Sequence, residues 1–185
     1  DPDGASMQVQ RFLPAGPPAG QLIDAPALVT APARDVGQVF AVTLDDAQAP
    51  NIYLGATSSF GIHVVAPGDD GTPRHVKQGM PGAQFMQGQW GTDKGGAPGS
   101  IYRMDGTTGE IALFSTIGSN AGPGLGDVVF DRATRQFFAS DLYTGLIYRL
   151  DSSGLIADTF DHGAVARPAK GLPPVADDGS RMNIA

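Results

Sequence analysis

Short runs of alternating apolar and polar residues, each bounded by turn residues, recur along the middle of the chain. Residues 99–105 read Gly-Ser-Ile-Tyr-Arg-Met-Asp, and residues 145–151 read Gly-Leu-Ile-Tyr-Arg-Leu-Asp. Each run is followed by a turn that contains glycine and then by a second apolar run, at 110–114 and 155–160. β-Branched and aromatic residues in this pattern predict strands, so each unit predicts an antiparallel hairpin.

A weaker third copy lies upstream, where residues 61–65 are followed by a Gly-Asp-Asp-Gly turn and by residues 75–76. Ile62 lies 39 residues before Ile101, which lies 46 residues before Ile147. Repeats of this length are typical of the four-stranded blades of β-propellers.

Further apolar runs complete the four-stranded units. The inner strands are predicted at 39–43 and 127–131, and the second strands at 51–55, 84–88 and 137–141. One such unit cannot bury both of its faces, so neighbouring units must stack. The prediction is therefore an all-β fold, a β-propeller with about three four-stranded blades and an incomplete ring, because closure takes four to eight blades. A β-sandwich built from similar hairpins is the alternative.

Three segments follow from this pattern. Residues 1–36 carry six prolines and predict an extended N-terminal arm that could include one edge strand. Residues 37–163 hold the three blade repeats, and residues 164–185 form a Pro-rich linker or tail. Both ends resemble fragment boundaries, so we expect the remaining blades to come from the same longer protein, from another polypeptide or from self-association.

Composition narrows the classes of function. The 26 Gly and 15 Pro residues favour tight turns over helices. The net charge of −7 disfavours nucleic acid and acidic membrane surfaces as partners. The chain has no cysteine, which excludes disulfide scaffolds, thiolate zinc sites and thiol catalysis. No apolar run is long enough to predict a transmembrane helix.

Residues 122–131, which read Gly-Pro-Gly-Leu-Gly-Asp-Val-Val-Phe-Asp, precede residues 138–141 and 145–151. Together they resemble a blade of the NHL-repeat and gluconolactonase-like β-propellers, over the middle two-thirds of the chain. The resemblance implies an exported bacterial protein, periplasmic or extracellular, of the six-bladed type. The lactonase branch holds a divalent metal with Glu, Asn and Asp, and its blades often carry Pro-Asn-Gly. Residues 125–127 read Leu-Gly-Asp instead, so the resemblance does not extend to this metal site.

The inserted loop at 89–98 is the best candidate for a binding site, because it carries the only tryptophan of the chain. Functional residues of a rigid scaffold concentrate on such loops, and an exposed Trp beside polar residues suits carbohydrate or peptide recognition. The alternative is that the Trp packs under a blade edge. The predicted ligand-binding residues are Trp90, Asp93 and Lys94 of this loop, with Asp141 and Tyr143 of the equivalent loop in the next blade.

The histidines and acidic pairs are better explained by structural roles than by metal binding or catalysis. His63, His75 and His162 lack the spacing of metal ligands. The acidic pairs at 45–46, 69–70 and 177–178 favour Asx turns, although calcium is the ion that such carboxylates would suit. The chain has neither a nucleophile elbow nor a phosphate-binding loop before a helix. We therefore predict no catalytic residue, no metal ligand and no cofactor.

Two functions remain open. The first is a non-catalytic binding or assembly module in the cell envelope or extracellular space. The alternative is a gluconolactonase-like, metal-dependent hydrolase whose catalytic residues lie mostly outside this chain.

Overall fold

The computed structural model describes residues 2–11, 26–57, 65–76, 89–120 and 124–161. These residues form mainly antiparallel β-structure, which confirms the predicted all-β class. A helix of one turn, α1 (Ala33–Val36), and a 3-10 turn (Thr92–Lys94) accompany the strands. The strands are β1 Ala5–Gln10, β2 Ala27–Pro32, β3 Val39–Leu44, β4 Ile52–Ala56, β5 Val65–Pro67, β6 Pro73–His75, β7 Ser100–Met104, β8 Ile111–Thr116, β9 Leu125–Asp131, β10 Gln136–Asp141, β11 Ile147–Leu150 and β12 Ile156–Phe160.

Two four-stranded antiparallel sheets form the centre of this structure. Sheet 1 has the order β3-β4-β7-β8, and sheet 2 has the order β9-β10-β11-β12. Each strand pairs with the next strand of its own sheet, so both sheets are simple meanders. Residues 57–99 are inserted between β4 and β7 of sheet 1, and β5 and β6 within this insertion form a separate hairpin.

The expectation of three four-stranded blades is wrong for the described residues, which contain two such sheets. The strands predicted for the first and middle repeats share sheet 1, because β4 pairs with β7 across the long insertion, with Leu54 opposite Tyr102. Residues 84–88 and most of 61–65, predicted as strands, lie outside the described residues. The strand positions themselves are confirmed, since β3, β4 and β7–β12 coincide with predicted runs.

The two sheets repeat one register. The Ile-Tyr-Arg motif lies on the third strand of each sheet, on β7 and on β11. Tyr53 is opposite Arg103 in sheet 1, as Phe138 is opposite Arg149 in sheet 2. Positions in one sheet therefore have defined equivalents in the other.

A hydrophobic core fills the space between the sheets. Sheet 1 contributes Tyr53 and Ile101, and sheet 2 contributes Phe137, Tyr148 and Leu150, all of them buried. The ring of Phe137 packs on the ring of Tyr53 with centroids 4.3 Å apart. Tilted and edge-to-face aromatic contacts of this kind add to the stabilisation from burial.

Equivalent side chains of the two sheets point in the same direction along the stack. Tyr148 of sheet 2 faces sheet 1, whereas its equivalent Tyr102 lies on the far side of sheet 1, in a second core. Leu150 likewise faces sheet 1, whereas its equivalent Met104 lies on the far side of sheet 1. The sheets thus present unlike faces to each other, as units related by a repeated translation or rotation do.

The N-terminal segment covers the far side of sheet 1. Strands β1 and β2 pair antiparallel with each other, and with α1 they supply Ala31 and Val36 to a core that also holds Leu54 and Met104. Where the sequence predicted an extended arm that could include one edge strand, the described residues form two paired strands and a one-turn helix. The polar and apolar residues of this segment are mixed with prolines, which hides the strand pattern.

Two apolar surfaces remain exposed. On β3, Phe40, Val42 and Leu44 are each about half exposed. On the outer face of sheet 2, Phe138 and Phe160 are 36% and 49% exposed. Of the helices in the described part of the chain, none has the length and hydropathy that a membrane span requires.

Candidate functional site

The predicted site lies where loops from both sheets meet at one end of the stack. β4 ends and β7 begins at this end of sheet 1, and β10 ends and β11 begins at the corresponding end of sheet 2. A bridge between Thr57 and Gly124 joins the two sheets here. We call this region, with loop 89–99 and turn 142–146, the loop end. The expectation that both loops share one end of the fold agrees with this arrangement.

Trp90 is buried at the loop end, with only 6% of its surface exposed. It belongs to the core on the far side of sheet 1, and its ring atom Cζ3 lies against Gly124, where an added Cβ would be 2.7 Å away. The expected exposed tryptophan is therefore not found, and the alternative of a packing role describes its position. Its carbonyl accepts a hydrogen bond from the Tyr102 hydroxyl.

The burial of Tyr102 explains how the loop is fixed. Burial raises the pKa of Tyr102 to about 12, despite the opposing effect of Ser100, so the phenol stays protonated and donates to the Trp90 carbonyl. Gly96 packs so closely on this carbonyl and hydroxyl that a Cβ would overlap both. Gly91 has a φ of 73°, a conformation that favours glycine. The loop is thus held by close backbone packing.

Asp93 and Lys94 lie in the exposed 3-10 turn of this loop. The Asp93 carboxylate is 3.9 Å from the Arg34 guanidinium, in an ion pair that solvent weakens. Arg34 also pairs with Asp3, so the turn is connected to the N-terminal segment. Both predicted residues are accessible to a ligand.

The Asp141 carboxylate is buried and hydrogen-bonded within the protein, so it is not open to a ligand. It is only 2% exposed, and its carboxylate accepts hydrogen bonds from the Tyr143 amide at 3.0 Å, the Thr144 hydroxyl at 2.6 Å and the Asn120 side chain. These bonds fix turn 142–146. Tyr143 itself is 44% exposed and is the accessible member of this pair.

Asn120 is a buried member of the loop end that the sequence reasoning missed. Its side-chain nitrogen donates to the Gly124 carbonyl at 2.8 Å, and its side-chain oxygen accepts from the Gly124 amide at 3.2 Å. Together with its bond to Asp141, this joins the loop before β9 to the turn after β10. A single Asn before a Gly-rich stretch carries no pattern that distinguishes this role from an ordinary turn.

The structure therefore divides the five predicted site residues into two groups. Trp90 is buried against Gly124, and Asp141 is joined to Gly124 through Asn120, so both support the loops. Asp93, Lys94 and Tyr143 are exposed on those loops. Ligand binding by these residues stays a prediction, with the last three as the residues that a ligand could reach.

The acidic residues in turns make local hydrogen bonds, as the Asx-turn interpretation predicted. The Asp45 carboxylate accepts from the Ala47 amide at 3.2 Å, and that of Asp70 accepts from the Thr72 amide at 3.0 Å. Residues 177–178, His63 and His162 lie outside the described residues. Within the described ranges, His75 is in β6, and no three His, Cys, Asp or Glu side chains cluster as metal ligands would.

Comparisons with known proteins give no family assignment. No protein-family model, no curated protein and no solved structure matches this chain. The resemblance to NHL-repeat and gluconolactonase-like propellers stays a prediction.

Proposed function

We propose that this chain is a portion of an exported β-propeller protein and acts as a non-catalytic binding or assembly module. The observation that carries the proposal is the common direction of the two stacked sheets, with Tyr102 and Tyr148 pointing the same way. Propeller blades repeat around an axis, so each blade offers one face to the preceding blade and the opposite face to the next.

A β-sandwich would predict a different arrangement of equivalent residues. In a sandwich, both sheets turn their apolar faces inward and leave their outer faces polar. Here β4 and β7 of sheet 1 carry buried residues on both faces, and the outer face of sheet 2 carries Phe138 and Phe160. This distribution favours serial stacking over a closed pair of sheets.

The first strands of the two sheets also approach each other closely. The hydroxyl of Thr43 on β3 accepts a hydrogen bond at 3.1 Å from the amide of Phe130 on β9. Gly55 of the second strand, β4, also lies against Val128 of β9, where an added Cβ would be 3.1 Å from a methyl group. Innermost strands that converge while the sheets fan outward are typical of propeller blades, so this contact supports the proposal.

A binding or assembly role is supported by what the structure leaves accessible. Asp93, Lys94 and Tyr143 lie at the loop end, where propellers commonly carry binding residues. The exposed apolar residues on β3 and on sheet 2 suit contacts with further protein. An exported location is supported by the family resemblance described above.

The size and location of the protein in its source cells test this proposal. An antiserum against the purified chain should detect a species well above 19.1 kDa, in the periplasmic or extracellular fraction. A cytosolic species of the chain's own mass would contradict it. Metal analysis of the same native protein tests the absence of catalysis, because a stoichiometric divalent ion with lactonase activity would favour the hydrolase.

A further inference from the structure

The outer face of sheet 2 contains an apolar groove of about 350 Å³. Phe138, Ile147 and Phe160 supply its apolar surface, and Arg149, Asp158 and Thr159 complete the lining. The groove lies across β10, β11 and β12, so it belongs to a regular sheet surface.

In sheet 1, the equivalent surface is covered by sheet 2, and it shows which side chains fill this position. The equivalents of Phe138 and Ile147 are Tyr53 and Ile101, which are 4% and 0% exposed beneath sheet 2. The side chain that covers them is Phe137. Its ring centroid lies 4.3 Å from that of Tyr53 and 5.1 Å from that of Phe114.

Phe114 of β8 and Phe160 of β12 close corresponding sides of the two surfaces. Phe114 lies next to Ser115, the partner of Ile101, and Phe160 is the partner of Ile147. The groove on sheet 2 therefore repeats the aromatic socket that receives Phe137 on sheet 1.

The charged residues of the groove do not oppose such a contact. Arg149 pairs with Asp158 at 3.4 Å, so the pair has no net charge. The equivalent Arg103 lies on the covered face of sheet 1, yet its guanidinium reaches Asn51 and Asp105 at the sheet end. Its side chain is still 43% exposed, which shows that a stacked neighbour leaves room for an arginine at this position.

We propose that this groove receives a third four-stranded sheet of the same repeat, carried by the same polypeptide, with an aromatic residue at the Phe137 position inserted between Phe138 and Phe160. This inference rests on the proposed function and names the partner of the open face. It extends a contact already present between sheets 1 and 2.

In a second copy of this chain, the central strands of the face that would insert are already covered. The face that would insert is the one that carries Tyr148 in sheet 2 and Tyr102 in sheet 1. The first is covered by sheet 1, and the second by the β1–β2 hairpin and the Trp90 loop. A sheet further along the polypeptide needs only a connection like residues 117–124, which lead from β8 to β9.

The test uses the absence of cysteine in the chain. Ile147→Cys places one thiol in the groove of the full chain, and the rate of its reaction with a maleimide reports exposure. The extended variant carries a second copy of residues 117–160 inserted after Phe160, so that the copy follows β12 as the original follows β8. We expect the inserted sheet to slow the reaction of residue 147 by about tenfold or more, as it becomes as buried as Ile101.

Two controls make the result specific. Leu155→Cys, at a turn position that is 69% exposed and equivalent to the exposed Glu110, should react equally fast in the parent and extended chains. An extended chain whose inserted copy carries Phe137→Asp should leave residue 147 as reactive as in the parent.

Any other pattern overturns the inference. If residue 147 stays reactive in the extended chain, the groove does not receive this sheet, whether or not the inserted copy folds. Protection that persists with Phe137→Asp shows that the aromatic contact is not responsible. Protection already present in the parent chain assigns the groove to a second copy if it depends on concentration, and to the chain's own residues if it does not. A large exported species in source cells, together with a reactive residue 147, would reject this partner and retain the proposed function.

Discussion

An aspartate begins the turn of each direct hairpin in the two four-stranded sheets. Its carboxylate accepts hydrogen bonds from amides or hydroxyls two to six residues further on, which fixes the turn and thereby the strand register. These residues are Asp45, Asp105, Asp131, Asp141 and Asp151. Turn chemistry thus explains why Asp and Gly alternate with apolar runs along the sequence.

Asp45→Asn should lower stability at neutral pH and reduce the acid sensitivity of the fold. Burial opposes ionisation of Asp45, but hydrogen bonds from Asn51 and Ala47 outweigh it and hold its pKa below the ordinary value of 3.8. A lowered pKa stabilises the fold above pH 3.8, and this contribution is lost as the pH falls through the folded-state value. We expect a loss of about 1 kcal/mol at pH 7 that shrinks below pH 3.8. Urea unfolding at pH 7 and pH 3 measures this, and an equal loss at both pH values would contradict it.

Gly96→Ala should disrupt the loop end. A Cβ at this position would overlap the Trp90 carbonyl and the Tyr102 hydroxyl, and backbone cannot move away as a flexible side chain can. We expect a loss of about 3 kcal/mol in unfolding free energy and a shifted fluorescence of the only tryptophan. Gly118→Ala is the matched control, because a Cβ there meets nothing within 4 Å. Equal stability of the two variants would show that the loop is not packed in this way.

At the scale of elements, the eight strands of the two sheets could be predicted from the sequence, but their grouping could not. Alternation and turn residues determine where a strand begins, and β7 and β11 share the Ile-Tyr-Arg motif. Pairing depends on contacts between distant residues, so the pattern could not reveal that β4 meets β7 across the insertion. The site was harder to predict, because a single Trp has the same sequence pattern whether its side chain is exposed on a loop or packed with its carbonyl bonded to the Tyr102 hydroxyl.

The β1–β2 hairpin should contribute strongly to the stability of sheet 1. Ala31 of β2 is fully buried in the core on the far side of this sheet, so Ala31→Asp would place an uncompensated charge there. We expect a loss of about 3–5 kcal/mol. Leu28→Asp on the same strand is the control, since Leu28 is 58% exposed and should tolerate the change. Thermal unfolding of both variants tests whether the hairpin packs as described.

At the scale of the whole molecule, stacking in one direction gives two identical residues at equivalent positions different burial. Ile101 and Ile147 occupy equivalent positions of sheets 1 and 2, but Ile101 is fully buried and Ile147 is part of the open groove. A position in the repeat therefore does not determine its own burial. The neighbouring unit does.

Ile101→Ala should cost about 2–5 kcal/mol, because it leaves a cavity in the core between the sheets. Ile147→Ala removes the same atoms from a partly buried position at the open groove and should cost about 1 kcal/mol. Chemical denaturation of the 185-residue chain measures both. Similar losses in the two variants would mean that the groove is already filled in solution.

Because sheets 1 and 2 stack in the same direction, the described stack has two different ends. The β1–β2 hairpin covers part of the end at sheet 1, whereas the end at sheet 2 carries the open groove. If the groove receives a third sheet as proposed, gene duplications that lengthen the stack would add sheets after β12, and variation in sheet number among such proteins should arise on the C-terminal side of sheet 2.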